Sequence, residues 1–486
     1  MAFTDLYSNS WLKRLPIFII LIGIIIRLQV YVHNRSFFID EANLARNIIE
    51  KPIDGYFSSL NYEQYAPPLF LVETKLMTAL FGKRDYIFRI IPLLSGIGTL
   101  ILLFLILRNW VPESSIGLCY SLALICFSTL FIRYHTEFKQ YSSDALVALL
   151  LLYLAWKEKD TQRFDKYQLL LWLIWGAVGL WYSMSLVFIL PAIFCCFYYW
   201  TKDKQLIWLV LGWGSSLALF YLILLRTDVG DSNIQNHFDQ YFFSANVFSA
   251  VAWKHNFLLF ADILKQLTDK TAISIGLAVL LLVSGYWTLF NEHKAKFMMT
   301  FLPLCLLILA SILRVYPCAP RLILFILPIL LIVVCYGANA LWSYSNVIVR
   351  VGLAVLLILS VVNKKGYRHL YEKMEFEDVK SAMEKLVEAK PTNEPLWVHH
   401  EAVPAFLFYN NLSEQAYDIK GYKLGHWELP VSEYMQPNNA KTLQWLMFAH
   451  TPTSEVKKLV STIDSSYKLI KIYQFERAAL LEFSFE

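Results

Sequence analysis

Residues 15–41 read LPIFIILIGIIIRLQVYVHNRSFFIDE, and this stretch decides which class of protein the chain belongs to. Its apolar part, up to Val32, is interrupted only by Arg27 and Gln29. A helix of this length comes close to crossing the ~30 Å hydrocarbon core of a bilayer. No small-residue cleavage site follows the run, so it predicts a retained membrane span rather than a secretory signal peptide.

The composition of the whole chain agrees with a membrane protein. Of the 486 residues, 57% are hydrophobic and 17% are charged, whereas soluble domains carry about 25% charged residues. The net charge is only +5, which gives no reason to expect nucleic acid as a partner. None of the seven cysteines lies in the tail and no CxxC occurs, so neither a disulfide framework nor a cysteine zinc site is expected.

Further apolar runs predict an all-α polytopic membrane protein with about eleven transmembrane helices. The spans are expected near 15–32, 87–108, 115–133, 142–156, 168–182, 184–200, 205–225, 273–290, 298–313, 321–341 and 347–362. Basic residues cluster at 157–166, 202–204 and 294–296, which this span count puts on the same side as the N-terminus. The positive-inside rule makes that side cytoplasmic, so the N-terminus is inside and the C-terminus outside. Lys364 and Lys365 lie on the outer side, against the rule.

This topology divides the chain into a transmembrane domain, 1–362, and a small extracytoplasmic domain, 363–486. The long loops 33–86 and 226–272 are then external, whereas the cytoplasmic loops are short. A protein with this asymmetry is expected to work on the outer side of the membrane.

Periodicity predicts structure within these external parts. The first outer loop contains two amphipathic or apolar stretches that are too short to span, which indicates surface helices at 37–49 and 65–81. In the tail, helical patterns alternate with strand patterns, which predicts an α/β domain. The helical patterns lie at 376–387 and 456–463, and the strand patterns at 396–398, 445–448 and 467–485.

Three polar clusters near span ends are candidates for chemistry, because charges at membrane depth are costly and usually functional. The first is Asp40-Glu41. One carboxylate of this pair would act as a general base for an acceptor hydroxyl. In the alternative, structural interpretation, Asp40 caps a surface helix and Glu41 stabilises its positive end.

The second cluster is RYHTEFKQY at 133–141, followed by Asp144. In a helix, Glu137, Tyr141 and Asp144 would share one face, at positions i, i+4 and i+7. Together with His135, such a face would hold a divalent metal ion or orient a sugar; otherwise the segment is a solvated turn. His135 and Glu137 alone are too few ligands for a zinc site.

The third cluster is RVYPCAPR at 314–321. Arg314, Tyr316 and Arg321 at the membrane surface suit a phosphate group, because guanidinium groups form paired hydrogen bonds with phosphate oxygens. The alternative is that the arginines extend to lipid headgroups. Arg89, at the start of the second span, is a weaker candidate of the same kind.

The order of these motifs resembles the GT-C glycosyltransferases related to protein O-mannosyltransferases and to the lipid A aminoarabinose transferase. A first span is followed by Asp40-Glu41, Pro67-Pro68-Leu69, Arg89-Ile90-Ile91-Pro92, Glu137-x-Lys139-x-Tyr141 and Tyr316-Pro317 with Arg321-Leu322. The tail is similar to the extracytoplasmic domain of bacterial members, so the resemblance covers nearly the whole chain. Each motif is short and weakly specific; their order and the topology carry the resemblance.

The resemblance implies that 1–362 is a GT-C catalytic domain in the inner (plasma) membrane of a bacterium, with its site facing the periplasm. The donor would be a sugar linked to a polyprenyl phosphate, embedded in membrane lipid. The acceptor would be a hydroxyl of a glycan, a lipid or a protein. A single in-line displacement would invert the anomeric centre.

The resemblance also assigns roles to residues. Asp40 is the expected base with Glu41 as its neighbour, and Glu137 and Tyr141 match the second-loop motif. Independently of the resemblance, Glu137, His135 and Asp144 are the candidate ligands of a divalent metal ion. The donor phosphate would contact residues at the membrane interface, namely Arg321, Arg314, Tyr316, Lys139, Tyr141 and Arg89. Lys139 stands where the family more often has arginine, and a lysine supplies charge without the bidentate fork.

Two other classes of protein compete with this interpretation. A lipid-linked sugar flippase or transporter would move lipid without releasing polyprenyl phosphate. Transporters usually show paired repeats and broken midplane helices, and this sequence shows neither a repeat nor a mid-span carboxylate. A membrane acyltransferase would need a catalytic histidine near its donor, and His135 is the candidate for that role.

Overall fold

A computed structural model describes residues 10–112, 115–226, 238–246, 248–268, 271–391, 394–426, 443–461, 463 and 467–485. The described chain is mainly helical, with one β-sheet near the C-terminus. It divides into two compact units. Unit 1 comprises 1–29, 66–70 and 91–371, and unit 2 comprises 30–65, 71–90 and 372–486. Unit 2 therefore combines most of the predicted first outer loop with the tail.

The helices that precede the sheet follow the predicted pattern closely. In chain order they are α1 (Ser10–Val32), α2 (Ile39–Glu50), α3 (Pro68–Phe81), α4 (Asp85–Phe88), α5 (Ile90–Trp110), α6 (Ile116–Cys126), α7 (Thr129–Tyr134), α8 (Tyr141–Lys157), α9 (Lys166–Tyr182), α10 (Leu186–Thr201), α11 (Ile207–Phe220), α12 (Ala250–Leu267), α13 (Ala272–Glu292), α14 (Lys294–Ile312), α15 (Ile326–Tyr344) and α16 (Val347–Val362). The two predicted surface helices are α2 and α3. Pro68 begins α3, where the N–H that proline lacks would have no helical partner.

The predicted spans differ from these helices at three places. The run 115–133 is divided into α6 and α7, and the carbonyl of Phe127 at the break accepts a hydrogen bond of 3.0 Å from the N–H of Gly366. The run 321–341 is helical only from Ile326, because the preceding residues form turns. The loop 226–272 contains α12, a helix that the sequence reading did not predict.

Six of the described helices are long and apolar enough to cross a membrane. They are Arg14–Val32, Asp85–Trp110, Lys204–Leu224, Ala272–Glu292, Lys294–Ile312 and Ile326–Tyr344. Shorter apolar helices occur at Ile116–Cys126, Leu186–Thr201 and Val347–Val362. The chain is therefore a multi-pass membrane protein, while the number of eleven spans and the inside position of the N-terminus stay predictions.

The tail in unit 2 contains the expected α/β structure. Its five-stranded sheet has the order β2-β1-β3-β5-β4. The strands are β1 (Leu396–Val398), β2 (Tyr422–Leu424), β3 (Gln444–Ala449), β4 (Tyr467–Phe475) and β5 (Ala478–Phe485), and the helices are α17 (Val379–Ala389), α18 (Val403–Leu407) and α19 (Thr453–Val460). β1 pairs in parallel with β2 and β3, and β5 pairs antiparallel with β3 and β4. Every residue of β3 is buried, which agrees with the apolar run that follows Gln444 in this strand.

Helices α13 and α15 in unit 1 approach each other at a glycine. A Cβ atom at Gly285 would lie only 2.1 Å from the carbonyl oxygen of Val333. Small residues at such points allow close packing of membrane helices. At Gly276 on the same helix, a Cβ atom would meet nothing within 4 Å.

We therefore predict that Gly285→Ala lowers the thermal stability of the detergent-solubilised protein, because α13 and α15 must separate. Overpacking of this kind costs about 1–3 kcal/mol. Melting temperatures measured by fluorescence-detected size-exclusion chromatography would test this, with Gly276→Ala as the matched control. Equal melting temperatures for the two variants would show that the helices do not pack closely at Gly285.

Candidate functional site

The first predicted catalytic residues lie in the first turn of α2 in unit 2. The residue that precedes the helix is Phe38, so Asp40 is the second helical residue and not the N-cap. The interpretation of Asp40 as the cap of this helix is therefore wrong. The N–H of Phe38 donates a hydrogen bond of 3.2 Å to Oε2 of Glu41. Glu41 is therefore the residue of the pair that satisfies a free N–H at the helix start.

Glu41 forms a bidentate ion pair with Arg89. Nε of Arg89 lies 2.8 Å from Oε1 of Glu41, and Nη2 lies 2.8 Å from Oε2. Both side chains are buried, with 0% of Glu41 and 2% of Arg89 exposed. Arg89 also donates to the carbonyls of Arg35 and Ser36, at 2.6 and 3.1 Å. Every guanidinium nitrogen thus has an acceptor within the protein, and the group predicted to bind phosphate is engaged in holding the first loop.

This pairing separates the roles of the two neighbouring acids. Glu41 has no exposed surface, so an acceptor hydroxyl has no access to it. Asp40 is partly exposed. Only Asp40 of the pair therefore has the access that a base for an external acceptor requires.

A second ion pair of unit 2, with one buried and one half-buried partner, joins residues that no sequence motif singles out. Lys380 forms an ion pair with Asp85 and donates a hydrogen bond of 2.6 Å to the carbonyl of Asn34. The side chain of Asn34 and the hydroxyl of Tyr409 also donate to Asp85, at 2.9 and 3.3 Å. Burial lowers the pKa of Lys380, and the charge of Asp85 opposes that effect. Residues 34 and 380 are too far apart in sequence for any local pattern to reveal this contact.

The second predicted cluster lies in unit 1, between α7 and α8. Residues 135–140 are all buried although most are polar. Nδ1 of His135 accepts a hydrogen bond of 2.7 Å from Nε of Arg27. Arg27, which is fully buried in α1, also donates to the carbonyls of Gly23, Ile125 and Cys126. Because a guanidinium can only donate, the other ring nitrogen of a neutral His135 carries the proton.

The predicted metal ligands have separate partners. Glu137 accepts a hydrogen bond of 2.7 Å from Arg133, and Asp144 accepts one of 2.6 Å from the hydroxyl of Ser183. Among the described residues, no group of three or more histidine, cysteine, aspartate or glutamate side chains could hold a metal ion. The structure does not bring His135, Glu137 and Asp144 together as a metal site.

Tyr141 and Lys139 are both buried. Tyr141 lies in a helix, whereas Lys139 lies in the loop before it. Tyr141 is the first residue of α8, so Glu137 precedes the helix and does not share its face. The ring of Tyr141 packs edge-to-face against Tyr134, with 5.3 Å between the ring centres. Lys139 lies in the preceding loop and is 5% exposed.

The third cluster surrounds a short helical turn at Asp239–Tyr241, also in unit 1. Arg314 forms an ion pair with Asp239, and its guanidinium lies 5.1 Å from the ring centre of Phe242. The guanidinium of Arg321 lies 5.6 Å from the ring centre of Phe238. The two predicted arginines thus contact the same segment, which belongs to the predicted outer loop 226–272.

Tyr316 has a structural role within this turn. Its hydroxyl donates a hydrogen bond of 2.9 Å to the carbonyl of Leu322. Its ring packs edge-to-face on Phe188, with 5.1 Å between the ring centres. Tyr316 therefore shapes the turn that carries Arg321.

Comparison with known proteins supports the fold. No protein-family model matches the sequence, and no curated protein matches it. The chain is similar to the crystal structure of ArnT, the lipid A aminoarabinose transferase, from Cupriavidus metallidurans bound to undecaprenyl phosphate. The TM-score is 0.51 at 12% identity, and the match covers 96% of this chain and 97% of that chain. This likeness confirms the predicted GT-C fold.

Two further solved structures are similar over most of the chain. The apo state of the same ArnT has a TM-score of 0.48 at 11% identity and covers 94% of this chain and 95% of its own. The Archaeoglobus fulgidus oligosaccharyltransferase in complex with zinc and sulfate has a TM-score of 0.44 at 10% identity. That match covers 94% of this chain and 72% of the oligosaccharyltransferase.

The Glu41–Arg89 pair generates a stability prediction. Arg89→Met leaves a buried carboxylate without its cation, which costs about 3–5 kcal/mol in comparable pairs. We expect unit 2 to lose much of its stability, and adding Glu41→Gln should restore part of it. Faster hydrogen exchange of unit 2 peptides would show the loss.

Arg84→Met is the matched control, because Arg84 pairs with Glu414 at the surface, where both side chains are 40% or more exposed. Water screens such a pair, so its loss is expected to change exchange little. Equal effects of the two arginine variants would contradict a structural role for the buried pair.

Proposed function

We propose that this chain, a multi-pass membrane protein with the GT-C fold, is a glycosyltransferase that uses a polyprenyl-phosphate-linked sugar as donor. The fold supports this proposal, because the similar ArnT structure contains undecaprenyl phosphate. The acceptor is a hydroxyl on the outer side of a bacterial plasma membrane, and the N-terminus is inside. The basic clusters at 157–166, 202–204 and 294–296 support that orientation.

The mechanism rests on a difference in burial between the two acidic residues in the first turn of α2. Glu41 is fully buried and bound to Arg89 through both carboxylate oxygens. Asp40, one residue earlier, is partly exposed. In this proposal, Asp40 is the general base and Glu41 fixes the turn that holds it.

The reaction is a single displacement. The acceptor oxygen attacks the anomeric carbon of the donor sugar while Asp40 takes the hydroxyl proton. The bond between the anomeric carbon and the phosphate oxygen breaks, and its electron pair leaves with polyprenyl phosphate. Attack opposite the leaving phosphate inverts the anomeric centre, and cationic groups near the phosphate lower the barrier.

Arg321 is proposed to bind the donor phosphate. Arg314, in the same turn, already pairs with Asp239, so part of its charge is neutralised. The guanidinium of Arg321 lies against the ring of Phe238, and a planar guanidinium suits the geometry of phosphate oxygens. Lys139, buried in the loop before α8, is proposed as an additional positive group.

The test of the function is a donor panel. Purified protein in nanodiscs would be incubated with radiolabelled sugars linked to undecaprenyl phosphate, and release of undecaprenyl phosphate would be followed. Turnover of one donor supports the proposal. Movement of intact donor between leaflets without any release would instead establish a flippase.

We predict that Asp40→Asn reduces turnover by about 10²- to 10⁴-fold, which is the usual contribution of a general base. The amide keeps the shape of the side chain, so folding and donor binding should be retained. Glu50→Gln is the matched control, because Glu50 lies in the last turn of the same helix and is exposed. Normal turnover by Asp40→Asn would eliminate Asp40 as the base.

We predict that Arg321→Ala weakens binding of undecaprenyl phosphate, because charged hydrogen bonds contribute about 1.5–3 kcal/mol. The expected increase in Kd is therefore roughly 10- to 100-fold. Arg321→Lys should give an intermediate Kd, since lysine keeps the charge but not the fork.

Microscale thermophoresis with undecaprenyl phosphate would measure these affinities. Arg350→Ala serves as control, because Arg350, in the first turn of α16, donates to the carbonyl of Trp342 near the end of α15. An unchanged Kd for Arg321→Ala would favour the lipid-headgroup interpretation of this arginine.

A further inference from the structure

A buried carboxylate from the tail lies at the first turn of α2. Phe38, which precedes the helix, has no side-chain acceptor for the free N–H groups of the turn. The carboxylate of Glu377 lies near the N–H of Ile39, the first helical residue, which opposes the rise that burial causes in the pKa of Glu377. Glu377 is 1% exposed. It thus places a negative charge at the start of the helix, across more than three hundred residues of sequence.

Glu377 is in turn held by His450, which follows β3. Nδ1 of His450 forms a hydrogen-bonded ion pair with Oε1 of Glu377. The imidazole ring packs on Phe38, with 5.3 Å between the ring centres. His450 has a φ of 62°, a left-handed conformation that a non-glycine residue adopts at a cost. The side chain of Arg477 donates to its carbonyl at 2.8 Å.

We propose that Glu377 and His450 are positioning residues for Asp40. Both act on residues directly adjacent to it: Glu377 on the backbone of Ile39, and His450 on the ring of Phe38. They hold the first turn of α2 rigid and thereby keep the Asp40 carboxylate in place for proton transfer. This inference rests on the proposed role of Asp40 as the base.

The tail therefore contributes to the reaction without touching substrate. A misplacement of about 1 Å in a catalytic group can reduce a rate roughly 100-fold. A helix turn whose N–H groups lack partners would fray at its start, and Asp40 lies in that turn.

The Glu377–His450 pair is also expected to make the protection of the first turn of α2 depend on pH. The hydrogen bond to Glu377 raises the pKa of His450 above its ordinary value, against the effect of burial. Burial raises the pKa of Glu377, and the contact with His450 opposes this. The other charged groups that face His450 are Arg477, which lowers its pKa, and Glu401, which raises it. The imidazolium form is favoured, so the pair is intact below the raised pKa and is lost as the pH rises through it.

The test uses Glu377→Gln and His450→Asn in the full-length protein. Asparagine tolerates a positive φ, so His450→Asn removes the ion pair without adding backbone strain. Glu414→Gln is the matched control, because it breaks the exposed pair with Arg84 in the same unit. The readout that needs no activity is hydrogen exchange of the amides at 39–42, corrected for intrinsic rates and measured across pH.

We expect exchange at 39–42 to increase in both variants and to remain unchanged in the control. In the wild type, protection should fall as the pH rises through the pKa of His450, and His450→Asn should lack this step. With a donor that the panel identifies, kcat should fall about 10- to 100-fold. KM for the donor should stay the same, because the phosphate contacts are untouched.

The inference would be overturned if both variants had the same hydrogen exchange, kcat and pH profile as the wild type. That result would leave Asp40 as the proposed base. Loss of activity only in proportion to the unfolded fraction would also overturn it, because the role would then be structural. Increased exchange together with normal turnover by Asp40→Asn would instead reject the proposed base and, with it, the positioning role.

Discussion

Glu41 and Arg89 are two ionised side chains in contact with each other and almost without contact with solvent. Each would be very costly to bury alone, so neither element that carries them can move without the other. Arg89 lies between α4 and α5, where the second predicted span begins, and Glu41 lies in α2. The pair thus connects the end of α4 to the surface helix that carries Asp40.

Two further ion pairs in unit 2 involve residues of the tail. Lys380 pairs with Asp85 and also binds the carbonyl of Asn34, just before α2. Glu377 pairs with His450, whose ring packs on Phe38. The C-terminal α/β structure therefore contacts residues 34–38 through the side chains of Lys380 and His450. Removing any one partner leaves a buried charge, which explains why these contacts are expected to be rigid.

Unit 1 has its own buried polar chemistry. Arg27 satisfies its guanidinium with backbone carbonyls and with His135 rather than with a carboxylate. The loop at 135–140, which this contact supports, buries several polar side chains inside a membrane-spanning unit. Polar groups in that environment are retained only where they serve a purpose, because each costs free energy to desolvate. The same loop contains Lys139 and Glu137, two residues that the sequence singled out.

The sequence by itself determined the membrane class, most helix positions, the tail strands other than β2 and the prominence of Asp40-Glu41, because apolar run length and periodicity are local properties. Only the tertiary structure decided that Glu41 and Arg89 are partners, that Asp40 is not a helix cap, and that His135, Glu137 and Asp144 have separate partners. It also revealed α12 and the contacts of Glu377 and Lys380 with the first loop. Such pairings depend on which residues long-range packing brings together, and burial decides whether a charge binds its neighbour or remains accessible to a substrate. A local pattern contains neither kind of information.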